Sequence, residues 1–217
     1  SGGLVWSGNA RPIPQVRAGF IDFVDIPFTK GWVQIKGELA YGKFMDNDFL
    51  RDHYNYYNQY ITTDALCHHK SISFRSNPDK PFVVTIGAEL AAQFGGTKRY
   101  YEKGILIDSL TMKSPTRLKD FFKILFPSSG DGQTNEGDQA YYYGNHVGQW
   151  NLSAEYRFKD NSSVRGYFEW YFDDASGMGK FNGWDGLWGL EYKSGKKNWL
   201  SNVVLEYLDM TNQSGPL

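Results

Sequence analysis

A single cysteine, Cys67, stands in 217 residues, which excludes an internal disulfide framework. No stretch approaches the roughly 18 consecutive apolar residues of a transmembrane helix, so any passage through a bilayer is made by strands. An excess of one charge is also missing. The 23 Lys and Arg face 24 Asp and Glu, for a net charge of -1 with no basic run, and this excludes the electrostatic footprint of a nucleic-acid partner. Rings are abundant instead, with 15 Tyr, 15 Phe and 7 Trp, although the mean hydropathy is only -0.53. Two kinds of all-β protein fit that combination. One is a soluble domain; the other is an outer-membrane barrel, whose strands are half apolar and whose interfacial girdles are aromatic.

The clearest pattern lies at 149–174. Trp150, Leu152, Ala154, Tyr156 and Phe158 alternate with Asn151, Ser153, Glu155 and Arg157. After a short polar turn, Val164, Gly166, Phe168, Trp170 and Phe172 alternate with Arg165, Tyr167, Glu169, Tyr171 and Asp173. A period of two puts each set on one side of a strand, so this is a hairpin with one apolar and one polar face. The same alternation marks strands at 13–24, 32–43, 69–75, 82–94, 184–193 and 199–208, eight in all. A helix is predicted over 114–126, with Pro115 in its first turn, Leu118, Phe121, Phe122, Leu125 and Phe126 as its stripe, and Pro127 as its stop. The stretches 44–68 and 95–147, the helix apart, read as long irregular loops, the first with room for a helical turn.

Connections between the strands run short, long, short, long, short, medium, short. Every second one is short, as in an up-and-down meander whose turns lie at one end and whose loops lie at the other, the arrangement of a transmembrane barrel. Most strands span about 9 to 13 residues, near the roughly 9 to 11 that a tilted strand needs to cross a bilayer. Charges keep to one side. Arg17, Lys36, Glu38, Glu89, Glu155, Arg157, Arg165, Glu169, Glu191 and Glu206 all oppose the apolar face and are expected to line a lumen. The expected fold is therefore an all-β, antiparallel up-and-down transmembrane β-barrel, or part of one, with long extracellular loops and one short loop helix. A half-exposed sheet in a soluble carbohydrate-binding β-sandwich is the alternative, its charged face simply solvated.

Several stretches resemble the Wzi capsule-assembly family of Gram-negative outer-membrane proteins. They are 9–17 (NARPIPQVR), 144–150 (GNHVGQW), 174–179 (DASGMG), 185–191 (DGLWGLE), and Glu206-Tyr207 followed by 211–216 (TNQSGP). The resemblance implies a barrel of more than eight strands in the outer membrane, embedded in lipid, with a lectin-type and non-enzymatic role in holding capsular polysaccharide. It also implies that this chain is a segment of the barrel, which agrees with an opening Ser1 and an ending at Leu217. No periplasmic helical region is seen, and the resemblance transfers no binding residue. A general porin or transport barrel is the other function considered, with the inward charges setting ion selectivity.

A polysaccharide site needs flat rings to stack on sugars and polar groups to bond hydroxyls. The loop candidates are Asp46, Asp48, Tyr54, Tyr56, Tyr57 and Tyr60, then Tyr141, Tyr142, Tyr143 and His146. Asp52 lies beside the first group. Neither Asp46-Asn47-Asp48 nor the acid-rich 131–138 has EF-hand spacing. Cys67-His68-His69 lacks a second cluster for zinc. No metal or other cofactor is expected, and His146 with Ser153 is the nearest approach to a catalytic pair, without a third member.

Overall fold

In the computed structural model, the described residues are 12–45, 48–126, 144–173, 183–196 and 199–212. Nine strands and two helices follow in the order β1 (Gln15–Asp25), β2 (Val33–Lys43), α1 (Phe49–Tyr54), β3 (Gln59–Ser76), β4 (Phe82–Glu102), β5 (Ile105–Lys113), α2 (Leu118–Leu125), β6 (Asn145–Arg157), β7 (Ser163–Phe172), β8 (Gly186–Lys193) and β9 (Asn202–Asp209). All strands belong to one antiparallel sheet, ordered β1-β2-β3-β4-β6-β7-β8-β9, with β5 paired to β4. The meander is as expected. Among the described residues β1 and β9 do not pair, so the sheet is open. No described helix is long and apolar enough to cross a membrane.

Three expectations change. The loop assigned to 44–68 is shorter, because β3 starts at Gln59 and α1 occupies part of the remainder. The segment taken as irregular from residue 95 carries a second hairpin, since β4 runs on to Glu102 and turns back as β5. Among the described residues there are therefore nine strands rather than eight, and two helices rather than one. The strands continue past the Gly95-Gly96 pair because both strands of the ladder bend together. Asp64 (φ 57°) and Gly96 (φ 82°) are left-handed and lie opposite each other, between the pairs Thr63 with Thr97 and Ala65 with Gly95. Asp and Gly are among the few residues that tolerate that region.

Register carries the alternation across the whole sheet. On the apolar side one row runs Ile35, Phe74, Ile86, Leu152, Phe168, Trp188 and Tyr207. On the polar side Glu38 faces Ser71, then Glu89 and Gln149, while Glu155 faces Arg165 and then Glu191. All ten charges expected on the polar side are there.

The polar side is the crowded one. Gln149 is 2% exposed and Glu191 6%, whereas Ile86 is 55% and Leu205 70%. No second sheet packs on either side among the described residues, so only curvature toward the polar face accounts for its burial. A β-sandwich needs two packed sheets, and these are not present among the described residues. The one buried apolar cluster among them is small: Ala92, Phe94 and Ile124, with Tyr41, Leu66 and Phe121 against it. It joins α2 to the sheet rather than forming a domain core.

Candidate functional site

On the polar side, most of the charged groups lie beside partners of opposite charge. Arg17 Nη1 lies 3.3 Å from Glu38, and His69 bridges Glu38 (3.5 Å) and Glu89 (2.6 Å). Further along, Glu191 accepts a hydrogen bond from Asn202 Nδ2 at 3.1 Å and forms ion pairs with Arg165, its Nε 3.1 Å away, and with Lys193 at 3.4 Å. Tyr167 donates its hydroxyl to Glu206. Buried polar atoms need such partners, and the acids and bases of this face supply them locally.

On the apolar side, rings gather near both strand ends. Toward the long loops, Trp150 stands 6.0 Å from Trp170, and Phe168, in the mid-strand row of Leu152, links Trp170 at 5.4 Å to Trp188 at 4.2 Å. Toward the short turns, Tyr156 lies in register with Phe82 and 5.0 Å from Phe158, with Tyr192 two strands away in the same row. Val84, Ile86, Leu152, Ala154 and Leu190 fill the zone between. Tyr156 and Trp150 are six residues apart on β6, about 20 Å at the rise of a strand.

The long-loop rim holds a cleft of about 380 Å³ lined by Lys43, Asp48, Arg51, Asp64, Arg99 and Tyr101, among others. An adjoining hollow of about 410 Å³ shares Phe44, Met45, Thr63 and Asp64 with it. The β3–β4 extension forms one wall and α1 with its lead-in the other. Asp48, left-handed at φ 61°, starts α1, and Arg51 reaches back to Asp48 at 3.2 Å and sideways to Asp52 at 3.0 Å. Lys43 pairs with Asp64 at 2.6 Å, and Arg99 donates to the Thr63 hydroxyl. Three cations face two carboxylates here. The ion pairs are exposed and screened by water, so they contribute little to stability and are open to exchange with a ligand's charges.

Rings stand beside the cleft. Phe49 stacks on His53 at 4.1 Å, Tyr54 tilts against Tyr57 at 6.2 Å, and Tyr60 meets Tyr100 edge-on at 5.1 Å. Tyr56 and Tyr57 are exposed. The structure thus puts Asp48 in the cleft lining and Tyr54, Tyr56, Tyr57 and Tyr60 at the same end of the sheet, where Tyr60 and its partner Tyr100 alternate with Arg99 and Tyr101 and face the other side of the ladder. Asp46, Tyr141, Tyr142 and Tyr143 lie outside the described residues, as does the acid-rich 131–138.

His146 does not belong to the rim group. It sits in register with Ala92 on the apolar side, beside the α2 cluster, and Ser153 falls on the polar side. Residues seven apart on one strand face opposite ways, so these two cannot act as a pair. Cys67 and His69 likewise face away from His68. Among the described residues no group of His, Cys, Asp and Glu is arranged to hold a metal ion.

Sequence reasoning missed Lys43, Arg51, Asp64, Arg99 and Tyr101. The signal was the run Thr97-Lys98-Arg99-Tyr100-Tyr101-Glu102, two cations beside two tyrosines, which pairs with 59–63 across the ladder. No family model, curated protein or solved structure matches the chain.

Proposed function

We propose that this chain builds the wall of an outer-membrane β-barrel and that its long-loop rim holds an acidic surface polysaccharide without reacting on it. The observation that carries this reading is the inverted sheet, with Ile86, Leu152, Leu190 and Leu205 exposed while Gln149, His69 and Glu191 are buried. In water such a face would be a very large apolar patch. In a bilayer it is the required surface, with an aliphatic zone between aromatic girdles. Among the described residues the outer edges of β1 and β9 are unpaired, which agrees with a barrel that needs further strands.

The rim supports the ligand. Lys43, Arg51 and Arg99 outnumber Asp48 and Asp64 in the cleft, which suits a sugar bearing carboxylates, and the neighbouring tyrosines suit its apolar faces. The stretches shared with Wzi point to a capsular glycan. Two measurements test the proposal. The folded protein should need detergent for extraction and migrate faster in SDS before heating than after. Purified capsular polysaccharide should bind the reconstituted protein, and Arg99→Ala should weaken it. Clear single-channel currents with no glycan binding would replace this function by that of a porin, with the inward charges as its selectivity determinant.

A further inference from the structure

α2 lies on the apolar side of the sheet, not over the polar hollow. Tyr41, which stacks on its registered neighbour His68 at 4.4 Å, donates its hydroxyl to Phe121 O at 3.0 Å. The Phe121 ring lies 5.3 Å from both Tyr41 and Phe94, and Ile124 is fully buried against Ala92 and Phe94. Tyr41, His68, Ala92 and Phe94 share their face with Ile86 and Leu152. Lys70, also on that face, donates through Nζ to Ile124 O at 3.2 Å and to Leu125 O. A cation is thereby placed on the orphan carbonyls at the helix C-terminus, where charge and hydrogen bonding both favour it.

The helix has a second apolar side. Leu118, Phe122 and Phe126 recur every fourth residue, form one stripe, and are 81%, 65% and 71% exposed. They point away from the strands, and Lys119 and Lys123 flank them. A helix that buries one stripe against the sheet and leaves three large apolar side chains outward, continuous with an exposed apolar sheet face, is built for an environment that is not water.

We propose, resting on the membrane reading above, that α2 is an interfacial helix clamped to the outside of the wall. Its Leu118, Phe122 and Phe126 enter the acyl region of the outer leaflet, and Lys119 and Lys123 meet the anionic phosphates of the lipid headgroups. Its contacts with Tyr41, near the long-loop end of β2, and with Ala92, in register with His146 at the start of β6, set it at the boundary of the bilayer, where amphipathic helices with lysine flanks reside. Lys70 and the Phe121–Ile124 contacts fix its height.

Fluorophores on introduced cysteines test this in the whole protein reconstituted into vesicles of neutral lipid with or without anionic phosphatidylglycerol, with unsubstituted protein as the blank because Cys67 is buried. Phe122→Cys should be quenched by lipids brominated near the headgroup, more than by lipids brominated deep in the chain. Ile86→Cys should be quenched by the deep ones. Lys119→Glu with Lys123→Glu should reduce the Phe122→Cys quenching in anionic vesicles and leave Ile86→Cys unchanged. Quenching at Ile86→Cys with none at Phe122→Cys overturns the helix assignment and leaves the membrane wall standing. No quenching at either site overturns the wall itself, and an unchanged signal in the double lysine variant overturns the headgroup contact.

Discussion

The imidazole of His69 lies 2.6 Å, through Nε2, from Oε1 of Glu89 on the neighbouring strand. Its other nitrogen faces Glu38 across the opposite edge of β3, so one ring ties β2, β3 and β4 on the polar side. Arg17 continues the chain to β1, and Gln149 reaches toward Glu89 from β6. Five strands are thus linked where no apolar core is available to hold them.

Removing the ring leaves two carboxylates facing a gap. His69→Ala should destabilise the fold by about 1–3 kcal/mol, the cost of stranding polar groups that are shielded from water. His69→Gln should recover part of it by still donating to Glu89. Urea unfolding in vesicles or detergent, followed by tryptophan fluorescence, measures both.

The apolar side separates a membrane protein from a soluble one through a single substitution. Ile86→Arg and Leu152→Arg, at exposed positions in mid-strand, should each cost about 2–4 kcal/mol in a bilayer. Were that side in water, such exposed changes would fall within about 0.5 kcal/mol of neutral. The yield of heat-modifiable folded protein in vesicles distinguishes the two outcomes.

At the rim, Arg99→Ala removes a charged donor and Tyr101→Ala a ring, both from the cleft lining. Each should weaken polysaccharide binding by about tenfold, the equivalent of ~1.4 kcal/mol, while heat modifiability stays unchanged. Binding titrations on the reconstituted protein check this, and retained affinity in both variants would move the site away from the cleft.

The β6–β7 turn carries its own pH dependence. Asp160 accepts hydrogen bonds from Ser162 N at 3.0 Å and Ser162 Oγ at 2.6 Å. These bonds, the hydroxyl first, hold its carboxyl below the ordinary value of 3.8. A depressed folded pKa stabilises the turn above the unfolded value, and that contribution is lost as pH falls through the folded one. The protection factor of the Ser162 amide, its exchange rate referred to the free-chain rate at the same pH, should therefore fall as the pH drops below the ordinary carboxyl value of 3.8, and Asp160→Asn should remove most of that dependence.

Much of the wall was legible in the sequence. The alternation in 82–94 and 149–172 placed Ile86, Leu152 and Phe168 on one side and Glu89, Glu155 and Arg165 on the other, and the pairing register keeps every one of them there. The β4–β5 hairpin was not legible. Gly95-Gly96 reads as a break, and the strand goes on only because Asp64, some thirty positions earlier, bends with it. The cleft was half legible for the same reason. Tyr54 to Tyr60 form a visible cluster, but Arg99 joins them only through the pairing of Thr63 with Thr97. His146, grouped with the loop rings by proximity in sequence, is carried by β6 onto the apolar side.

Local covalent geometry thus determined which side chains share a face, because successive residues of an extended chain point opposite ways whatever surrounds them. Which face closes on itself and which stands open was decided only by the tertiary structure. Burial depends on the curvature of the sheet and on what lies across from it, and both are set by strands far apart in the chain. The same holds for α2: its stripes are written in its eight residues, but the side of the sheet on which it rests is chosen by Tyr41, Lys70 and Phe94.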